Sequence, residues 1–210
     1  MFPDITSNDQ EVYDEGAASV CPGDFSGDGN VNVSDLGGFL GAFGTACSID
    51  PVTLAIGDTH QGGIVFYLNG SGGGLIAAPS DQSSAVWGCY GTPISGAAGT
   101  AIGTGNQNTI DIEAGCTTTG TAADICANLT LGVYSDWFLP SKDELNQMYL
   151  NIGQGNALGL GNIGGFANNY YWSSSEYDNY VVWGQHFYFG YQNYVNKYSD
   201  TGNVRAIRAF

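Results

Sequence analysis

The chain has 210 residues, only 11% of them charged, and its 20 acids against 4 bases give a formal net charge of −16. That balance excludes the usual duplex-nucleic-acid binder, which needs a basic face to displace counterions from phosphates, and it argues against docking on anionic lipid. With 43% hydrophobic and 13% aromatic residues the chain is too apolar for simple disorder, yet no apolar run approaches the ~18 residues that would cross a bilayer.

In chain order, residues 1–19 lack the basic start and apolar middle of a signal peptide and read as a flexible acidic tail. Residues 20–48 hold the clearest local motif, running from Asp24 to Asp35. Side-chain oxygens of Asp24, Ser26, Asp28, Asn32 and Asp35 fall at loop positions 1, 3, 5, 9 and 12, Gly29 falls at the sharp turn, and Asn30 offers its backbone carbonyl at position 7. A hard cation with six to eight oxygen ligands takes such a set, so calcium is the expected cofactor. Leu36, Phe39, Leu40 and Phe43 follow at i, i+3, i+4 and i+7 and predict a short amphipathic helix ending near Gly44. The segment resembles a dockerin repeat with Asp in place of the final Glu. A dockerin carries two such repeats and binds a cohesin. One repeat alone implies a calcium-stapled stalk or linker, a half EF-hand module, and puts cohesin binding in doubt. Among the five cysteines, Cys21 and Cys47 bracket this module and Cys116 and Cys126 bracket a short segment, which suits two local disulfides and leaves Cys89 over. Those brackets and the calcium motif favour an extracellular or cell-surface protein.

After a linker at 49–56, residues 57–210 read as one α+β domain with long loops. Strands are predicted over Gly63–Leu68 and Gly74–Ala78 with a Gly/Ser turn between them. Residues 91–109 read as loop, and Thr121–Leu131 as a helix with Ile125, Cys126 and Leu129 on one side. Asp136–Pro140 reads as a buried extended segment. Ser141 and Glu144 are spaced as a capping box, followed by a helix whose apolar face is Leu145, Met148, Tyr149 and Ile152. Residues 153–165 are a Gly/Asn loop, and short strands are expected from Tyr170 onward.

The tail carries the functional signal. Trp183, Gln185, Phe187 and Phe189 alternate with Gly184, His186, Tyr188 and Gly190, so period two puts the first set inward, with Gln185 buried and hydrogen-bonded, and the second set toward solvent or ligand. Thirteen aromatics lie between Phe166 and Tyr198. Tyr177, Tyr180, Tyr188, Tyr191, Tyr194 and Tyr198 stand among Asp178, Asn179, Asn193 and Asn196, a mixture of stiff amphipathic rings and adaptable polar groups typical of a paratope. These residues, with Gly184 and His186, form the candidate ligand-binding set. Arg205 and Arg208 are expected to pair with acids and hold the terminal strand.

The blocks GGIVFYLNGSGGGLIAAPSD, DWFLPSKDELNQMY, YWSSSEYD and the terminal VRAIRAF resemble the bacterial Lcl C-terminal domain family over residues 57–210, and especially members diversified by retroelements. The resemblance implies a C-type-lectin-like fold, related to the formylglycine-generating enzymes, in a family composed mostly of adhesins and binding proteins. Retroelement mutagenesis turns adenine-bearing Asn codons into NNC or NNT codons. The residues at 184, 186, 188, 191, 193–196 and 198–203, apart from Lys197 within that run, are all ones such codons encode. No Ser sits in G-x-S-x-G, no cysteine follows Cys126 to supply the cysteine chemistry of the formylglycine enzymes, and the EPN, QPD and WND motifs of calcium-dependent sugar lectins are missing. The expectation is therefore a secreted or surface-displayed binding protein without enzymatic activity, its partner an unidentified protein or glycan. The alternatives are a polysaccharide-binding adhesin and a structural subunit whose tyrosine face contacts another copy.

Overall fold

In the computed structural model, which describes residues 53–155, 157–198 and 202–210, the apolar runs of the sequence become strands covered on both faces. β1 (Thr59–His60), β2 (Gly63–Leu68) and β3 (Gly74–Ala77) form an antiparallel meander, and β9 (Ile207–Ala209) adds antiparallel to β3, giving the order β1-β2-β3-β9. Val65 and Ile76 enter one core with Trp87, Trp137 and Trp172. Their neighbours Phe66 and Leu75 enter a second core with Phe138, Leu145, Phe166 and Phe187. Burial on both sides explains why β2 and β3 read as unbroken apolar runs rather than as alternation.

The second sheet has the order β4-β8-β5-β6-β7, with β4 (Ser83–Ala85), β5 (Tyr170–Glu176), β6 (Val181–His186), β7 (Gln192–Asn196) and β8 (Gly202–Val204). All neighbours are antiparallel except β5 and β8, and β7 ends the strand order among the described residues. The expected extended segment is buried at Trp137–Leu139, and Phe138 bridges to Ile207. Ser141 and Glu144 close the capping box of the helix Lys142–Ile152, with the Ser141 amide donating to Glu144 Oε2 at 2.7 Å.

Leu54–Phe210 form one compact unit. The metal ligands expected from the sequence, Asp24, Ser26, Asp28, Asn30, Asn32 and Asp35, lie outside the described residues, as do Cys21 and Cys47.

Three expectations are corrected. The stretch 91–109 is not all loop, because α1 spans Gly105–Gly115. This helix lacks a side-chain cap and buries polar groups: Asn108 accepts from the Gly99 amide at 3.2 Å and donates to its carbonyl at 2.6 Å, while Thr109 Oγ1 accepts from the Leu139 amide at 3.0 Å. The helix expected over Thr121–Leu131 is shorter, α2 being Ala122–Ala127, because Leu131 leaves the helical path to bridge to Tyr134. The helix Lys142–Ile152 is then α3. Third, Cys116 bonds to Cys89 and not to Cys126. Cys126 lies on the face of α2 that packs into the core with Ala122 and Ala123, and burial pushes its thiol pKa well up.

The two arginines do what their scarcity suggested. Arg205 is buried, pairs with Asp81 at 2.7 Å, and donates to the carbonyls of Ala78 and Gly164 at 3.1 and 2.7 Å. One side chain thus ties the exit of β3, the loop before Phe166 and the link between β8 and β9. Arg208 pairs with Asp136 and bonds Gln61, holding β9 to the segment before Trp137.

Candidate functional site

Antiparallel pairing decides which tail residues share a face. Trp183 faces Tyr194 across β6 and β7, Gly184 faces Trp172 and Asn193, and His186 faces Tyr170. The exposed aromatics therefore do not form one sheet of rings. They gather into three clusters around the β5–β6–β7 edge.

The first cluster lies on the face covered by α3. Tyr194 packs 4.1 Å from Tyr177 and 4.5 Å from Trp183, measured between ring centroids, and Lys142 Nζ from the first turn of α3 lies 4.0 Å over Trp183. The helix is locked there by Gln185, which donates to Asn146 Oδ1 at 2.9 Å, and by Gln192, which donates to the Lys142 carbonyl at 2.7 Å. Gln185 is thus buried and bonded, as its place in the alternation required. The second cluster lies on the opposite face at the β6–β7 turn. The Tyr170 hydroxyl bonds the Tyr191 hydroxyl at 2.9 Å, His186 sits 4.7 Å from Tyr170, and Phe189 stacks on Tyr191 at 5.9 Å with Tyr188 beside it. The third lies at the β5–β6 turn, where Tyr90 contacts Tyr180 at 5.1 Å and Tyr198 at 6.2 Å. The two turns are separated by the length of β6, about 17 Å at the usual strand rise.

All six tyrosines singled out in the sequence are exposed, from 45% for Tyr194 to 73% for Tyr198. Asp178 and Asn193 are exposed, and Asn179, His186 and Asn196 are half-buried. Asp178 Oδ1 accepts from the amides of Tyr180 and Val181 at 2.7 and 2.8 Å, which shapes the turn and holds its carboxyl below the ordinary carboxylate range. Asn179 gives its carbonyl to the Gly91 amide at 2.8 Å.

Two tail assignments fail. Gly184 is buried, and a Cβ there would meet Val195 Cγ2 at 2.9 Å, so it is packing and not surface. Phe189 was expected inside and is 63% exposed. The alternation stops because β6 ends at His186; the chain turns through 187–190, with Gly190 at φ +82° donating to the His186 carbonyl. Sequence reading also missed Tyr90, Tyr170, Trp183 and Lys142 as members of the clusters. Lys142 and Tyr90 come from elements distant in sequence, and only three-dimensional pairing brings them in.

The family model for the Lcl C-terminal domain matches residues 84–208. The chain belongs to the Lcl C-terminal domain family. All three clusters fall inside the matched span, and membership points to a ligand-binding or surface-associated protein. No match was found among curated proteins. Among the described residues of the Lcl chain, no group of three or more His, Cys, Asp or Glu is placed to hold a metal ion, and no helix is long and apolar enough to cross a membrane.

The residues that could have suggested catalysis are occupied structurally. Ser173, Ser174 and Ser175 are buried; Ser173 Oγ donates to the Trp183 carbonyl and Ser175 Oγ to the Gly99 carbonyl. Glu144 is buried, which pushes its pKa up, while amide donors from Ser141 and Gly103 pull it back.

Beneath the display lies an ion pair. Lys197 and Glu176 are bonded and buried, Lys197 Nζ also donates to the Thr92 carbonyl at 3.2 Å, and Glu176 accepts from the Ile94 amide at 2.9 Å. Each is followed directly by an exposed ring, Tyr177 or Tyr198. Lys197→Met leaves the Glu176 carboxylate buried without its cation, and we expect a loss of about 3–5 kcal/mol in urea unfolding. The Glu176→Gln/Lys197→Met double variant recovers part of that loss. A loss below about 1 kcal/mol in the single variant would show that the pair is not a structural anchor.

Proposed function

We propose that the protein is an extracellular or surface-displayed binding protein that holds its partner with the tyrosine clusters at the β5–β6–β7 edge, on a C-type-lectin-like scaffold and without chemistry. The observation that carries this reading is the exposure of six tyrosines on strands and turns, four of which (Tyr177, Tyr188, Tyr194 and Tyr198) stand next to a buried residue. Tyr offers a large, stiff, amphipathic surface at low entropic cost, and such residues dominate binding energy when a partner desolvates them. The scaffold reading is supported by the pairing of β3 with the terminal β9, by the two longer helices and by the long connections at 86–104 and 153–169. Export is supported by the Cys89–Cys116 bridge.

Arrays of glycans and of surface proteins test this, probed with the chain and with the Tyr177→Ala/Tyr194→Ala and Tyr188→Ala/Tyr191→Ala pairs. A ligand held by the chain is expected to weaken about tenfold or more in at least one pair. Signals untouched by both pairs would overturn the reading. An oligomer that dissociates in the variants on size-exclusion chromatography would make the clusters a subunit contact instead.

Retroelement diversification, if it acts here, is confined by packing to the exposed subset Tyr188, Tyr191, Asn193, Tyr194 and Tyr198. Gly184, Val195 and Asn203, which the codon argument also admits, are buried. The gene decides: we expect codons ending in C or T at the exposed positions and a near-copy, adenine-rich template beside the gene. Mixed codon endings with no template would dispose of the idea.

We further propose that Asp24, Ser26, Asp28, Asn32 and Asp35, with the carbonyl of Asn30, hold calcium. The support is the donor chemistry, all hard oxygen at EF-hand spacing. Calorimetry on the chelator-stripped chain is expected to show one calcium site that Asp24→Ala/Asp28→Ala abolishes. Absence of binding heat in the unaltered chain would refute it.

A further inference from the structure

The chain has four Lys and Arg residues, and each sits over an aromatic ring. Lys142 lies 4.0 Å from the Trp183 centroid, Lys197 4.7 Å from Trp87, Arg205 4.2 Å from Phe166 and Arg208 4.1 Å from Tyr134. Three of the four also pair with a carboxylate: Lys197 with Glu176, Arg205 with Asp81 and Arg208 with Asp136. The protein thus satisfies its cations with one recurring pair of acceptors, a π face and an acid.

The Tyr90–Tyr180–Tyr198 cluster offers the first of these, exposed π faces, and among the described residues no cation is placed on its rings. Tyr90 and Tyr180 are about half exposed and Tyr198 is 73% exposed. Asp178 stands two residues from Tyr180, exposed, with its Oδ1 accepting from the Tyr180 and Val181 amides of the turn. At Tyr90 and Tyr198 opens a cavity of about 550 Å³, lined further by Val86, Gly88, Cys89 and Thr118, with no base among the described residues of its wall. That volume is within the range of ordinary ligand pockets. A formal charge of −16 draws cations toward the surface and repels polyanions.

We propose that this cluster and its cavity are a subsite for an organic cation, the ammonium or guanidinium group of a Lys or Arg side chain on a basic polypeptide partner. The proposal rests on reading the β5–β7 edge as a binding surface, and it adds the charge class of the ligand. A cation over a tyrosine face gains most where the partner excludes water, and Val86, Gly88 and Cys89 in the cavity wall supply apolar cover.

The test is calorimetric titration of the full chain with octa-arginine amide at physiological salt, beside a neutral Gly-Ser octapeptide, an octaglutamate and maltooctaose. Octa-arginine is expected to bind and octaglutamate not to. Tyr90→Ala and Tyr198→Ala are each expected to weaken binding about fivefold, and Tyr90→Phe, which keeps the ring, to retain it. Val133→Ala, at a surface position in the Leu131–Tyr134 turn, is expected to change nothing. Disulfide content and circular dichroism verify that the variants fold. Failure of octa-arginine to bind overturns the proposal. So does equal binding by the unaltered chain and the Tyr90→Ala/Tyr198→Ala variant, which marks capture by net charge alone. Binding of maltooctaose alone, lost on the same tyrosine substitutions, overturns the cationic assignment while leaving the binding surface standing.

Discussion

The buried pair of Glu176 and Lys197 is the constraint on which the displayed edge depends. Taking two charges out of water costs several kcal/mol per ion, and their mutual attraction repays it only when the remaining donors and acceptors are also met. Here they are: Glu176 receives the Ile94 amide, Lys197 reaches the Thr92 carbonyl, and the ammonium lies over Trp87. The pair joins the end of β5 to the exit of β7 and pins the loop at 92–94 between them. Since Tyr177 and Tyr198 are the next residues along the chain, an anchor locked in one position fixes where each ring leaves the surface. The backbone bonds from Lys197 to the Tyr180 carbonyl and from Gly88 to the Lys197 carbonyl carry the same constraint to Tyr180 and to the loop bearing Tyr90.

The pattern repeats around the edge. Phe187 is buried against Phe166 and Tyr171, and Tyr188 follows it into solvent. Cys89, bonded to Cys116 and held at φ +48°, precedes Tyr90. A non-glycine residue in that region carries a conformational cost that surrounding structure must meet, and the bridge and the Gly88 and Gly91 hydrogen bonds on either side provide that support. Alternating anchor and display residues let the exposed rings occupy defined positions without a helix or sheet face of their own, so little entropy remains to be lost when a partner docks.

What the sequence made legible was local. The β2 and β3 runs, the Ser141–Glu144 box and the arginine pairs rest on short-range patterns or on the scarcity of bases, and all three appear in the structure. The exposure of the six tyrosines followed from their polar surroundings. What stayed hidden depended on contacts between distant segments. α1 has no apolar stripe to betray it, since Asn108 and Thr109 attach it to Gly99 and Leu139 by hydrogen bonds. The bridge from Cys116 to Cys89 skips the nearer Cys126 because the core claims that thiol. Phe189 could be placed only by knowing that β6 stops at His186, and Gly184 only by knowing that Val195 fills the space above it.

Geometry also limits what size of partner can use the edge. The cluster at Tyr177, Trp183 and Tyr194 and the cluster at Tyr170, His186 and Tyr191 lie on opposite faces of the strand pair, with Trp183 three residues before His186 on β6. A ligand of single-residue or single-sugar size meets one of them. To engage both, a partner must span about 10 Å along the strand and reach around β7, which lies between them at the end of the strand order. β7 is short, with Gln192, Asn193 and Asn196 among its five residues, composition that favours side-chain contacts over continued strand pairing. The architecture therefore suits a macromolecular partner with a ridge or chain that wraps the edge, the rings gripping from both sides while the backbone of β7 stays a spacer between them.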